Sequence, residues 1–268
     1  MPRLVTFVFC LLLCPALLAE DAQIARLLAD SGVQGTLVLS SLKGGQTFIH
    51  DDARAARRFS AASTFKIPNT LIALQLGVVA GKDSPFHWDG THYGIANWNQ
   101  DQTLETAFRV SCVWCYQQLA GKIGQAAYRD WLRRIGYGVL HEPFTLTRFW
   151  LDGALQISAL EQVAFLKQVY QRRLPFRPAA YDSLQQIMLS EQTGAYRLFA
   201  KTGLAGDSPP QVGWYVGYVE TAEDVWFFAS NLDIHDARQL PLRLALTRAA
   251  LQAKGVFNAG KDLTGEQP

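Results

Sequence analysis

The sequence predicts one α+β domain in which an antiparallel sheet, flanked by N- and C-terminal helices, carries an inserted helical lobe. Two observations predict this class. Alternating apolar patterns typical of strands occur near both ends of the chain, whereas the middle shows helical periodicity. No internal repeat or low-complexity linker divides the 268 residues, and a hydrophobic content of 49% is ample for a core.

The first 19 residues differ in composition from the rest of the chain. Arg3 precedes a short apolar run, and the small residue Ala19 closes the segment before two acidic residues. This pattern predicts a secretory signal peptide at residues 1–19. A membrane anchor is the alternative, but the run is short for spanning a bilayer. We expect export to a bacterial periplasm and no membrane contact after signal cleavage.

Residues 20–260 are expected to form the domain, followed by a polar tail at 261–268. The sheet lobe would occupy about 20–62 and 195–260, and the helical lobe about 63–194. In the sheet lobe we predict a helix, a hairpin, three strands and a final helix at Ile24–Ala29, Thr36–Ser41 with Gln46–Ile49, Tyr196–Lys201, Gly213–Glu220, Val225–Asn231 and Leu240–Lys254. The helical lobe would contain helices at Thr64–Leu76, Leu104–Ile123, Gln125–Ile135, Ala159–Tyr170 and Tyr181–Leu189.

The charge balance limits the classes of partner. A formal net charge of +2 argues against nucleic acid, whereas a small acidic molecule needs only a local positive site. No metal site is expected, because the five histidines form no H-x-x-x-H pair and a single C-x-x-C pair falls short of four zinc ligands.

Two of the four cysteines, Cys112 and Cys115, remain after removal of the signal. A thioredoxin-like role would need a surrounding βαβ pattern, which the sequence lacks. We interpret the pair as two small residues packed in one helix. A local disulfide, formed in an oxidising compartment, is the alternative.

The S-x-x-K motif at Ser63–Lys66 places a hydroxyl and an amine on one face of a predicted helix. Such a short motif is weak alone, and Ser40–Lys43 also fits it. That second copy enters a predicted hairpin, where residues three apart face opposite sides. Downstream, Lys201, Thr202 and Gly203 put an ammonium, a hydroxyl and an accessible backbone on a strand. Together the motifs predict serine acyl transfer to a substrate that carries a carboxylate.

A serine nucleophile needs a base, and no histidine is placed to serve. Lys66 is the candidate, because burial among apolar residues such as Phe65, Val113 and Trp150 would depress the pKa of its amine. A neutral amine can also add carbon dioxide to give a carbamate, so CO2 or bicarbonate is the only cofactor expected. The backbone amides of Ser63 and Leu204 would form an oxyanion hole.

These residues resemble the class D β-lactamases over essentially the whole mature chain. The matching motifs are S-T-F-K at Ser63–Lys66, S-x-V at Ser111–Val113, the omega-loop tryptophan Trp150, K-T-G at Lys201–Gly203, the Gly213–Gly217 strand and the arginine element around Arg243. Class A enzymes, by contrast, carry S-D-N and a separate glutamate base. The resemblance implies a serine β-lactamase and penicillin-binding transpeptidase fold.

The resemblance also implies a role for each residue. A carbamylated Lys66 would act as general base in acylation and deacylation, held by the Trp150 indole, and Ser111 would relay a proton to the leaving nitrogen. The substrate carboxylate would be bound by Lys201, Thr202 and Arg243. Val113 and Leu151 would screen the carbamate and gate the hydrolytic water. Taken singly, Ser111 is equally a helix cap, Arg243 a surface residue, and Trp150, Val113 and Leu151 core residues.

Two departures from the family leave the substrate spectrum open. Val139 stands where Y-G-N usually has asparagine, and Leu204 stands where an aromatic residue commonly follows K-T-G. Two alternatives share the motifs: a D-Ala-D-Ala peptidase, and a non-hydrolysing penicillin-binding sensor domain. The expected partner is a small β-lactam, and the chain would be a monomer or a homodimer.

Overall fold

A computed structural model describes residues 20–256, so the predicted signal peptide and polar tail lie outside the described residues. In chain order the strands are β1 (Gly35–Ser41), β2 (Thr47–His50), β3 (Phe59–Ser60), β4 (Pro85–Phe86), β5 (Gln102–Thr103), β6 (Val139–Leu140), β7 (Leu155–Ile157), β8 (Leu189–Gln192), β9 (Tyr196–Ala205), β10 (Gln211–Thr221) and β11 (Val225–Ile234). Six of them form an antiparallel sheet in the order β2-β1-β11-β10-β9-β8.

The helices are α1 (Ala22–Ser31), α2 (Asp52–Ala56), α3 (Lys66–Gln75), α4 (Leu104–Arg109), α5 (Val113–Ile123), α6 (Gln125–Ile135), α7 (Ala159–Tyr170), α8 (Pro178–Met188) and α9 (Leu242–Ala253). Helices α1 and α9 flank the sheet, and α3 to α8 are inserted in sequence between β2 and β8. The predicted fold class is therefore confirmed. Within residues 20–256 no helix has the length and apolarity needed to cross a bilayer.

The period-2 alternation of β9 gives the sheet two different faces. Leu198 and Ala200 lie in the apolar cluster that includes residues of α1 and α9. Phe199 faces the opposite way, into the large cluster formed with the inserted helices. Lys201 and Gly203 follow Phe199 in the same phase. The alternation therefore directs Lys201 and Gly203, the first and third residues of the K-T-G motif, toward the inserted helices.

Local capping explains why several predicted helix boundaries are correct. Helix α7 begins after Ser158, whose hydroxyl accepts from the Glu161 amide while the Glu161 carboxylate accepts from the Ser158 amide. Helix α6 ends at Ile135, and the capping residue Gly136 that follows adopts a left-handed φ of 61°. Pro68 lies in the first turn of α3, where its missing amide costs nothing.

The predicted helix over Leu104–Ile123 is wrong, because the structure divides it into α4 and α5. The chain breaks at Ser111, whose φ of +57° is left-handed and incompatible with a continuous right-handed helix. Cys112 then caps α5, its sulfur accepting from the Cys115 amide at 3.2 Å. The sequence pattern missed this break because both segments keep apolar residues at helical spacing.

Smaller differences concern the ends of elements. The prediction that α9 begins at Leu240 is wrong, because a 3-10 turn at Ala237–Gln239 and Pro241 precede its first residue. β9 continues to Ala205, beyond the predicted end at Lys201, so the whole K-T-G motif lies inside a strand. The short helix α2 and the short strands β3 to β8 had no prediction, since each has too few residues to show a period.

Candidate active site

The Ser63 hydroxyl and the Lys66 amine meet at the start of α3. A 3-10 turn at Ala62–Phe65 leads directly into that helix, which keeps the two side chains on one face. Lys66 Nζ lies 3.1 Å from Ser63 Oγ, within hydrogen-bond distance. Ser63 is 7% exposed and Lys66 1% exposed. The predicted pair therefore shares a nearly dry site.

The pKa of the Lys66 amine is lowered well below its ordinary value, first by burial and second by the nearby Lys201 cation. No carboxylate within residues 20–256 forms an ion pair with it. The Tyr116 ring lies 4.7 Å from Nζ and attracts a cation only weakly compared with the lost hydration. The site therefore favours the neutral form of the Lys66 amine, which is the form able to accept a proton.

Trp150 lies in an aromatic cluster beside the nucleophile turn. Its ring stacks 5.6 Å from Phe65 and meets Phe149 edge-on at 5.0 Å. The Trp150 carbonyl accepts from the Ala62 amide at 2.7 Å and so joins the loop to the nucleophile turn. The indole Nε1 is buried, yet it has no hydrogen-bond partner among the described residues. An unpaired buried donor costs about 1–3 kcal/mol, which indicates an acceptor that the protein chain does not itself supply.

Lys201 and Ser111 form a second hydrogen-bonded pair in the site. Lys201 Nζ donates to Ser111 Oγ at 2.5 Å and to the Thr202 carbonyl at 3.0 Å. Burial, together with the charge of Arg243, lowers the pKa of Lys201 to about 7. Half-buried Ser111 thus receives a hydrogen bond from a group that exchanges its proton near neutrality.

Strand β9 passes very close to the nucleophile. A Cβ built on Gly203 would lie 3.2 Å from Ala62 Cβ and 3.3 Å from the Ser63 amide nitrogen. Glycine serves close approach here rather than a turn, because a side chain would force these neighbours to shift by a few tenths of an ångström. β8 pairs with β9 no further than Phe199, whereas β10 stays paired with β9 to Ala205. Beyond Phe199, therefore, one edge of β9 has no strand partner, and alternate backbone amides of β9 face that open edge. Leu204, whose amide is the predicted oxyanion donor, lies on this stretch of β9, and its side chain is half-buried.

Arg243 adds a second positive charge beside Gly203. Its guanidinium donates to the Gly203 carbonyl at 2.8 Å and to the Leu240 carbonyl at 2.9 Å. Within the described chain it has no carboxylate partner, and burial lowers its pKa. With Lys201 and the half-buried Thr202, Arg243 forms a cationic wall suited to a carboxylate.

The remaining predicted residues lie around this centre. Phe65 is fully buried between the nucleophile turn and the aromatic cluster. Val113 opens α5, and Leu151 follows Trp150 in a turn where its amide donates to Arg148 at 2.7 Å. Both side chains are half-buried. The interpretation of Cys112 and Cys115 as unlinked residues within one helix is wrong, because the two form a disulfide with an S–S distance of 1.97 Å.

Several site residues were missed from the sequence. Thr70 shares a hydrogen bond of 2.8 Å with Tyr116, and Tyr128 donates to Asn69 at 2.8 Å. Asn69 and Thr70 lie three and four residues after Lys66, on the same helix face, and this spacing could have identified them. Tyr116 and Tyr128 belong to distant elements and gave no such signal.

Comparison with known proteins places this geometry in a family. The family model of the penicillin binding protein transpeptidase domain matches residues 35–252. The β-lactamase OXA-48 of Klebsiella pneumoniae is 41% identical over 224 residues, covering 84% of this chain and 84% of that protein. OXA-10 of Pseudomonas aeruginosa is 33% identical over 243 residues, covering 90% and 91%.

Solved structures give the same result. The class D β-lactamase YbXI from Nostoc is 38% identical with a TM-score of 0.85, covering 88% of this chain and 99% of that one. FUS-1 (OXA-85), a class D β-lactamase from Fusobacterium nucleatum, is 34% identical with a TM-score of 0.87, covering 89% and 100%.

Proposed function

The chain belongs to the class D β-lactamases, and on that premise we propose that it hydrolyses β-lactam antibiotics through an acyl-enzyme on Ser63. The observation that carries the mechanism is the buried amine of Lys66, 3.1 Å from the Ser63 oxygen. A nucleophilic serine requires a base within hydrogen-bond distance, and a desolvated neutral amine is such a base at neutral pH.

In acylation, Ser63 Oγ attacks the lactam carbonyl carbon while its proton passes to the base at Lys66. The amides of Ser63 and Leu204 stabilise the developing oxyanion, a contribution of about 10²–10³ in rate for each donor. The lactam C–N bond then breaks, and the nitrogen takes a proton from Ser111. The short bond from Lys201 to Ser111 supports this role, because Lys201 replaces the proton that the hydroxyl gives up.

The cationic wall explains recognition of the substrate. Lys201, Thr202 and Arg243 would bind the substrate carboxylate, which balances two charges that have no carboxylate partner within residues 20–256. The bound anion also favours the protonated form of Lys201, whose pKa in the free enzyme is about 7. Substrate binding therefore keeps Lys201 protonated, so that it can replace the proton that Ser111 donates to the leaving nitrogen.

A carbamate on Lys66 fits the residues present. Addition of CO2 requires a neutral amine, which burial provides, and the carbamate requires a donor, which the unpaired Trp150 Nε1 would supply. When present, the carbamate supplies a carboxylate-like proton acceptor in both half-reactions. The half-buried Val113 and Leu151 would limit solvent entry to this position and admit the single water that hydrolyses the ester.

Turnover separates this proposal from its rivals. The D-Ala-D-Ala peptidase remains relevant because the matching family model is the transpeptidase domain. With a penicillin, a β-lactamase gives many turnovers per active site, whereas a peptidase or a sensor domain gives one stoichiometric burst. Such a burst, followed by no further hydrolysis, contradicts the proposal.

Ser63→Ala tests the nucleophile and has a matched control. Mass spectrometry should detect no covalent penicillin adduct on this variant, and hydrolysis should be lost. Ser40→Ala, in the other S-x-x-K copy, should keep wild-type turnover, because the Ser40 hydroxyl bonds Thr47, Lys167 and the Gln46 carbonyl at the hairpin. An adduct on the Ser63→Ala protein would identify a different nucleophile.

We also propose that the protein works in the periplasm. The Cys112–Cys115 disulfide supports this location, because such bonds persist in oxidising compartments.

A further inference from the structure

The disulfide occupies an unusual position relative to the site. Cys112 stands between Ser111 and Val113, and its partner Cys115 lies in the first turn of α5. Both cysteines are fully buried. The bridge therefore fixes the backbone segment from which two of the proposed site residues project.

Ser111 needs such fixing, because its left-handed backbone is costly for a residue with a side chain. The turn around it is held by the Ser111 amide to Phe108 at 3.2 Å and the Cys112 amide to Ala107 at 2.9 Å. Trp98 Nε1 also donates to the Val110 carbonyl at 2.9 Å. None of these bonds involves the Cys112 side chain, which is tied to α5 covalently by the disulfide and by the hydrogen bond from the Cys115 amide at 3.2 Å.

We propose that the Cys112–Cys115 disulfide is a positioning element of the active site, which holds Ser111 in the left-handed conformation that brings its hydroxyl to Lys201. This inference rests on the proposed function for its consequence in catalysis. Its structural part, the restraint on the Ser111 backbone, does not depend on the reaction.

Two features favour a local role over a global or redox one. A sequence separation of 3 closes a very short loop, and disulfides stabilise the folded state chiefly through the size of the loop they close. Complete burial also keeps external thiolates from attacking either sulfur, which argues against thiol exchange as its function.

The consequence of losing the restraint follows from the site geometry. Ser111 Oγ lies 2.5 Å from Lys201 Nζ, and a displacement of about 1 Å at a reacting group costs up to about 10²-fold in rate. A relaxed turn would move the hydroxyl without removing it. The defect should therefore appear in the proton-transfer steps rather than in folding.

The double variant Cys112→Ser, Cys115→Ser tests the proposal. Serine at position 112 keeps an acceptor for capping α5, so the substitutions remove the covalent link but retain the cap. We expect kcat/KM for a penicillin to fall about 10- to 100-fold with the melting temperature nearly unchanged. The amides of Ser111 and Cys112 should exchange with deuterium faster than in the wild type.

Unchanged kcat/KM and amide exchange would overturn the proposal. So would a loss of activity that only follows a large fall in melting temperature, which would make the bridge a general stabiliser. If the variant does not fold, the wild type is unfolded in denaturant to expose the buried bridge, reduced with dithiothreitol, and refolded under nitrogen without reductant. Thiol titration verifies that both cysteines are reduced, and the protein is compared before and after reoxidation. Restored activity and restored amide protection support the proposal, and no response to reduction refutes it.

The two hypotheses fail separately. A wild type that does not turn over a penicillin contradicts the proposed function, whereas amide exchange still reports whether the disulfide restrains Ser111.

Discussion

Trp150→Phe removes one N–H group and leaves most of the aromatic packing in place. The phenyl ring can still stack on Phe65 and meet Phe149, which lie 5.6 and 5.0 Å from the Trp150 ring in the wild type. The donor that is lost has no partner within residues 20–256, so no protein hydrogen bond is broken. The variant therefore isolates the proposed interaction between the indole and a carbamate on Lys66.

The structure sets the size of the effect. A hydrogen bond to a charged acceptor contributes about 1.5–3 kcal/mol, so the bicarbonate concentration for half-maximal activity should rise about 10- to 100-fold. In CO2-free buffer two effects on the stability of Trp150→Phe oppose each other. Removal of the unpaired donor stabilises the variant by about 1–3 kcal/mol, whereas loss of buried ring carbons destabilises it by about 0.8 kcal/mol per carbon. The free energy of unfolding without CO2 should therefore stay near that of the wild type.

The assay is penicillin hydrolysis over a bicarbonate series, with carbamate detected by NMR after addition of ¹³C-bicarbonate. Trp214→Phe is the matched control, because Trp214 is also fully buried but its Nε1 donates to the Ser60 carbonyl at 2.9 Å. Trp214→Phe should be less stable than the wild type, because it loses both a hydrogen bond to the protein and buried ring atoms. Its bicarbonate dependence should match the wild type.

Wild-type bicarbonate dependence in Trp150→Phe would contradict a hydrogen bond between the indole and a carbamate. A shift in the Trp214→Phe control as large as that in Trp150→Phe would contradict it equally.

Two further predictions concern the lysines. Lys66→Met should abolish hydrolysis and raise the free energy of unfolding at neutral pH by about 1–3 kcal/mol, because it removes a buried polar group without a carboxylate partner. The pKa of Lys66 is lower in the folded state than in the unfolded state, so the stability gained by Lys66→Met should shrink as the pH rises toward the ordinary value of 10.5. Denaturant titrations at pH 7 and pH 10 measure this gain, and a larger gain at pH 10 would contradict the prediction. The second prediction concerns Lys201, whose ammonium in the free enzyme loses its proton near pH 7, so kcat/KM should fall as the pH rises through about 7. The corresponding fall in kcat should occur at higher pH, because the bound carboxylate stabilises the ammonium in the enzyme–substrate complex. Lys201→Arg should lower kcat and abolish this pH dependence, since a guanidinium stays protonated and cannot replace the proton that Ser111 gives up. A pH–rate profile flat from 6 to 9 in the wild type would contradict the assignment.

Much of the fold was predictable from local signals. The capped helices α6 and α7 begin and end at the predicted residues, because caps such as Ser158 and Gly136 act within a few positions. The division of Leu104–Ile123 was not predictable in this way. Its cause is the left-handed Ser111, held by a disulfide and by Trp98, and nothing in the periodicity of the two segments reveals that restraint.

The sequence by itself determined which chemical groups are available and one crucial distance. The spacing of Ser63 and Lys66 places a hydroxyl beside an amine, because a 3-10 turn that leads into a helix is a local geometry in which residues three apart lie on one face. The tertiary structure alone decided that the pKa of that amine is lowered. The shift comes from burial and from the charge of Lys201, and both Lys201 and the Tyr116 ring lie far away in the chain and approach the amine only when the inserted helices pack against the sheet.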